Sequence, residues 1–212
     1  MNNLYLTKLE LKTFTEQDAS DYCFLNNINP DNIKILDLAY NKLTDISGIK
    51  LFKNLQQFHC PYNEVTNISA LKHLNKLEYL NLYSNKITDI SDIKNLKKLT
   101  TLILGYNNIK KLSNIKHLKK LKNITIGCNK LTDISELKYL NKLEILFINN
   151  NPLNDLSDIK NLKIDTLNIN ELKLDENQVQ YINPSVVKLF CKNTFKDKLE
   201  ILKINKNLQF FL

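Results

Sequence analysis

The chain has 212 residues, 43% apolar and 25% charged, enough for one sizeable core and too apolar for disorder. Its net charge of +8 comes from thirty lysines and no arginine, alongside 32 asparagines, so the guanidinium fork that reads bases is missing and the charge alone does not argue for nucleic acid. Three glycines weigh against a glycine-rich phosphate loop, and no run approaches the roughly 18 apolar residues that span a bilayer.

The opening MNNLYLTKLELKTF lacks a signal-type apolar core, because lysine and glutamate interrupt it. Its Leu6-x-x-Leu9-x-Leu11-x-x-Phe14 is a weak version of a pattern that recurs downstream, with Phe14 where later units carry asparagine. Thr15-Glu-Gln-Asp18 reads as a helix start, with a hydroxyl N-cap and acids in the first turn. The expected helix covers 16–27, with Tyr22, Cys23 and Phe24 available to pack inward.

From residue 33 the chain is periodic. Asparagines fall at 41, 63, 85, 107, 129 and 151, each 22 residues after the last. Upstream of each stands one apolar frame, for example Leu77-x-x-Leu80-x-Leu82-x-x-Asn85. Downstream, serine recurs at 47, 69, 91, 113, 135 and 157, and lysine at 50, 72, 94, 116, 138 and 160. L-x-L alternation puts two apolar side chains on one face of a short strand. A single coil cannot bury them, so coils must stack and their strands form a parallel sheet. Apolar residues at 87, 90, 93 and 96 step by three, which suits a 3₁₀-like return arc. The asparagine amide donates and accepts, so it can satisfy backbone groups of its own and adjacent coils.

The L-x-x-L-x-L-x-x-N frame over 33–163 resembles the leucine-rich-repeat family. Its 22-residue period and N-x-I-x-D-I-x-x-L turn look like the short-repeat class shared by bacterial internalins and a phosphatase-regulating eukaryotic family. The expected fold is a right-handed α/β solenoid with a parallel concave sheet, a 3₁₀ or irregular convex side and helical caps. The expected organisation is one continuous domain: an N-terminal cap over 1–32, six regular repeats over 33–163 and a C-terminal cap over 164–212.

After Leu162 two registers compete. Ile164-x-x-Leu167-x-Ile169 loses the asparagine, whereas Ile169-x-x-Leu172-x-Leu174-x-x-Asn177 restores it at the cost of four extra residues. The second is favoured, because Val179 and Ile182 then follow at repeat spacing. Pro184 onward suits a helix, and Leu199-x-x-Leu202-x-Ile204-x-x-Asn207 reads as a last repeat before an apolar edge, tucked under that helix or offered to a partner.

Since the repeated residues are scaffold, recognition must lie in the strand positions that vary. Three columns and a rim contain 24 positions across the six regular coils, of which only Asp37 is charged, and they hold five of the nine tyrosines. Depletion of charge and enrichment in tyrosine is the composition of a protein interface. The candidate partner-binding residues are Asp37, Tyr40, His59, Tyr62, Tyr79, Asn81, Tyr83, Ile103, Tyr106, Ile145 and Phe147. The competing explanation is that these rings pack on one another simply to stiffen the sheet. The lysine stripe reads as a solvated outer face.

Asp37 and His59 occupy adjacent strands, but Asn81 follows in that column and cannot serve as nucleophile, so a surface ion pair with pH-sensitive binding is expected and catalysis is not. Cys23, Cys60, Cys128 and Cys191 are scattered without a CxxC pair and read as reduced thiols, and His73 and His117 are too far apart for one metal. No catalytic residue, metal or cofactor is assigned. The expectation is a monomeric, cytoplasmic, non-enzymatic module that binds another protein through the concave sheet, with no membrane partner. The alternatives are nucleic-acid association through the lysine surface and self-association, such as a dimer, through the C-terminal edge.

Overall fold

The computed structural model describes residues 2–191 and 208–211. Ten short strands form one parallel sheet in strict chain order: β1 (Asn3–Tyr5), β2 (Ile35–Asp37), β3 (Gln57–His59), β4 (Tyr79–Asn81), β5 (Thr101–Ile103), β6 (Asn123–Thr125), β7 (Ile145–Phe147), β8 (Thr166–Asn168), β9 (Lys188–Phe190) and β10 (Gln209–Phe211). The middle residues of β2 to β7, Leu36, Phe58, Leu80, Leu102, Ile124 and Leu146, pair in line and are fully buried. Each such side chain contributes about 1.5–3 kcal/mol of burial. Opposite the sheet the return arcs are short 3₁₀ segments such as Ser69–His73, Ser91–Asn95 and Ser135–Tyr139, so the result is the expected leucine-rich-repeat solenoid.

The asparagines at 41, 63, 85, 107, 129 and 151 are the buried polar side chains of the core, and they form a ladder. Asn85 Nδ2 donates to the carbonyls of Cys60 (2.9 Å) and Leu82 (3.1 Å), and Asn85 Oδ1 accepts from Val65 N–H at 3.0 Å. Asn107 and Asn129 repeat that geometry one coil on. No buried side-chain nitrogen or oxygen among the described residues lacks a partner.

At the first coil the register differs from expectation. Leu4 pairs with Leu36, so the frame is Leu4-x-Leu6-x-x-Leu9, two residues earlier than Leu6-x-x-Leu9-x-Leu11. Leu4 and Leu6 are buried while Leu9 is exposed, because the strand must meet Leu36 and Leu38 across the sheet. The helix α1 (Glu16–Leu25) carries the expected cap. The Thr15 side chain accepts from Asp18 N–H, and the Asp18 carboxylate accepts from Thr15 N–H at 2.8 Å, holding the Asp18 carboxyl below its usual range. The helix ends two residues before the expected 27, and Ala19 and Cys23 face inward. Phe24 does not: one residue on from Cys23 is about 100° round the helix, and the ring is 85% exposed.

At the far end the structure takes the other register. Leu167 pairs with Leu146, and Ile164, Leu167 and Ile169 are buried, with Leu172 where an asparagine would stand. Asn177, favoured from sequence for the ladder, is exposed at the start of the 3₁₀ segment Glu176–Tyr181. Aligning a full row of apolar side chains with β7 outweighs one more amide in the ladder. The expected helix from Pro184 is replaced by a turn leading into β9, with Val186, Leu189 and Cys191 buried in the repeat frame. The helix beyond 191 and the repeat at 199–207 fall outside the described residues.

Candidate functional site

Strand pairing sets the columns of the exposed sheet face. Ile35, Gln57, Tyr79, Thr101, Asn123 and Ile145 are in register, as are Asp37, His59, Asn81, Ile103, Thr125 and Phe147. All twelve are partly exposed. At the rim, Tyr40, Tyr62, Ser84, Tyr106, Cys128 and Asn150 are left-handed, with φ between 52° and 57°. That conformation turns the chain out of the strand and into the asparagine ladder, and it aims each rim side chain off the end of the sheet. It suits asparagine and costs other residues about 1 kcal/mol or more.

Tyr40, Tyr62, Tyr83 and Tyr106 form a continuous ridge across four coils. Tyr40 and Tyr62 are stacked at 4.6 Å between ring centroids, and Tyr62–Tyr83 and Tyr83–Tyr106 follow at 5.4 and 5.1 Å, inclined by 63° and 55°. The rings do pack on one another, yet Tyr40, Tyr62 and Tyr106 remain 51%, 43% and 56% exposed. Room for the Tyr83 ring comes from Gly105, where a Cβ would stand 3.2 Å from it. Burial, followed by the neighbouring Tyr106 and Tyr62, pushes the Tyr83 hydroxyl up to about 12, and a hydrogen bond with Cys128 raises Tyr106. The ridge is therefore neutral at physiological pH, and the Tyr83 hydroxyl is a fixed donor. Tyr79 joins His59 instead, ring on ring at 4.7 Å.

The expected Asp37–His59 ion pair is not formed. Asp37 Oδ1 accepts from Ala39 N–H at 2.9 Å, and His59, half-buried, is lowered by desolvation more than Asp37 raises it, so it is neutral at pH 7. Asn81 makes the same local turn onto Tyr83 N–H at 3.0 Å. Towards the C-terminal end the face becomes apolar through Ile103, Ile145 and Phe147.

Sequence reading missed residues that extend this face. Tyr5 stands beside Asp37, and Phe190 and Phe211 continue from Phe147 at 5.8 and 4.7 Å. The frame Val186-x-x-Leu189-x-Cys191 was the available signal for Phe190. Lys8 lies with its ammonium 5.6 Å from the Tyr40 ring centroid. On the convex side, the lysine stripe is partly neutralised: Lys50 pairs with Glu16, Lys116 with Glu136 and Lys138 with Asp158. Among the described residues no cluster of His, Cys, Asp and Glu could hold a metal, and no helix is long and apolar enough to cross a membrane.

This geometry defines a solenoid of the leucine-rich-repeat class, and comparison with known proteins agrees. The family model for leucine-rich repeats in two copies matches residues 53–95 and 97–139. The chain is a leucine-rich-repeat protein. The fold is similar to the internalin inlF of Listeria monocytogenes, with a TM-score of 0.76 and 27% identity over 85% of this chain and 54% of the internalin. The internalin C2 of the same organism superposes with a TM-score of 0.73 at 21% identity, over 99% of this chain and 80% of that one. A plant peptide hormone receptor, RGFR1, solved in complex with RGF2, has a TM-score of 0.74 at 17% identity over 99% of this chain and 35% of the receptor. The chain thus spans about half of inlF and about a third of the receptor. No curated protein matches the sequence.

Proposed function

We propose that this chain is a non-enzymatic module that binds another protein on its concave face. The partner meets the tyrosine ridge (Tyr40, Tyr62, Tyr83, Tyr106) and the adjoining columns Asp37, His59, Tyr79, Asn81, Ile103, Ile145 and Phe147. The observation that carries this reading is a ridge of four neutral aromatic rings, three of them about half exposed, on a face with a single charge. Tyrosine supplies large contact area at small entropic cost, together with a hydroxyl for a polar partner atom. That the plant receptor of similar fold was solved with RGF2 supports a binding role. An open sheet of this kind encloses no water-poor pocket for chemistry.

The test is capture from the native host's lysate at moderate and high salt. Wild type is compared with a Tyr40/Tyr62/Tyr83/Tyr106→Ala variant whose fold is checked by circular dichroism. Retention by wild type at both salt concentrations and loss by the variant is the expected result. Equal capture by the variant refutes the concave site. Capture that collapses as salt rises would point instead to phosphate contacts along the lysine surface.

A further inference from the structure

From the ridge we infer a more specific ligand: a proline-rich segment in the polyproline II conformation, with one basic residue at the end that meets Asp37. This inference rests on the concave-face reading and narrows it.

The spacing is the first support. Parallel strands lie about 4.8 Å apart, so every second tyrosine of the ridge recurs at roughly 9.6 Å. A polyproline II helix rises about 3.1 Å per residue with three residues per turn, so one of its edges recurs about every 9.3 Å. A proline strand laid across the coils stays in step with Tyr40 and Tyr83, or with Tyr62 and Tyr106, along the whole ridge. The tilts of 63° and 55° leave the ridge notched beyond Tyr62. Proline has no N–H, so such a ligand brings carbonyls that need donors, and the tyrosine hydroxyls are donors. A segment already extended loses little entropy on docking against aromatic rings.

Charge complementarity supplies the second support. Beside the ridge, Lys42 pairs with Glu10 and Lys86 with Glu64, so that flank is neutral. Asp37 has no ion pair among the described residues, and it is the one charge among the 24 positions. Only Ala39 separates it from Tyr40 on the exposed face, a distance of about 7 Å that a lysine or arginine side chain spans. An uncharged ridge ending in one carboxylate selects an uncharged spine ending in one cation.

The test is fluorescence anisotropy with labelled synthetic peptides of about ten residues. One is an arginine followed by prolines, the second replaces the prolines with glycine and serine, and the third replaces the arginine with glutamate. The expected result is saturable binding of the first in the range of about 10–100 µM, with the glycine–serine peptide at least about tenfold weaker. Tyr62→Asn and Tyr106→Asn weaken it by a similar factor. Both are chosen because asparagine tolerates the left-handed backbone, as Asn150 does at the equivalent position. Asp37→Asn weakens the arginine peptide several-fold and removes its advantage over the glutamate peptide. No saturable binding up to about 1 mM, or equal binding of the glycine–serine peptide, overturns the inference. If the peptides fail while lysate capture still depends on the tyrosines, the specific ligand is wrong and the concave site stands. If both fail, the site itself is wrong.

Discussion

Asn85 Oδ1 accepts from the amide of Val65 at 3.0 Å, 20 residues earlier, while Asn85 Nδ2 returns a hydrogen bond to the Cys60 carbonyl at 2.9 Å. One side chain thereby joins its own coil to the coil before it. Asn85→Leu leaves Val65 N–H and the Cys60 and Leu82 carbonyls buried without partners, each costing about 1–3 kcal/mol. The expected loss is about 3–5 kcal/mol in urea unfolding. A loss below about 1 kcal/mol would show that the ladder accompanies the fold without stabilising it.

Gly48 decides how α1 docks. A Cβ there would stand 2.7 Å from the Phe14 carbonyl oxygen and 2.9 Å from the Ala19 Cβ, and the Gly48 N–H already donates to Phe14 O at 2.7 Å. Backbone on both sides has no rotamer with which to yield. Gly48→Ala is expected to cost about 1–3 kcal/mol. Hydrogen exchange should show faster opening of α1 with β4 to β6 unchanged. Uniform protection across both regions would show that the helix can shift to make room.

His59 makes stability depend on pH. Its folded-state pKa lies below the ordinary 6.5, because desolvation of the half-buried ring outweighs the attraction of Asp37. A depressed value means the contribution is fully present above the unfolded pKa and is lost as pH falls from there through the folded pKa. Stability should decline on acidification from about pH 6.5. His59→Gln should flatten that part of the profile, leaving the carboxylate-driven loss at lower pH. A wild-type slope identical to the variant's would place His59 in contact with water.

Tyr62 sits at φ 56°, stacked on Tyr40. Tyr62→Asn removes ring contacts that contribute about 0.5–1.5 kcal/mol and relieves left-handed strain of about the same size. Stability should therefore change by no more than about 1 kcal/mol, whereas Leu80→Ala, at a fully buried strand centre, should cost about 2–5 kcal/mol. A large loss at Tyr62 would make the ridge a structural brace.

The scaffold was legible because its residues answer to constraints that repeat. Leu80, Leu82 and Asn85 each do one task, and five further coils state the same task 22 residues apart. The composition of the exposed columns was legible for the same reason, since strand alternation assigns them to the face. What failed were positions where a local rule met a non-local demand. Asn177 satisfied the motif, but the row of Leu167 against Leu146 fixed the register. Phe24 was available for packing, but the helix period, anchored by Ala19 and Cys23, turned it outward. Gly48 stands where the other coils carry larger residues, yet its purpose appears only once α1 lies across it.

By itself, then, the sequence determined the class of fold, the period, the ladder and the set of residues free to vary, because stacked identical coils translate spacing directly into position. Tertiary structure alone decided which tyrosines touch, that Asp37 and His59 stay apart, and where the ends of the solenoid begin. Those outcomes depend on left-handed rim backbones, on the tilt of rings between neighbouring coils, and on a contest between burying leucines in line and satisfying one more amide. Such energies exist only between segments distant in the chain, so no window of sequence contains them.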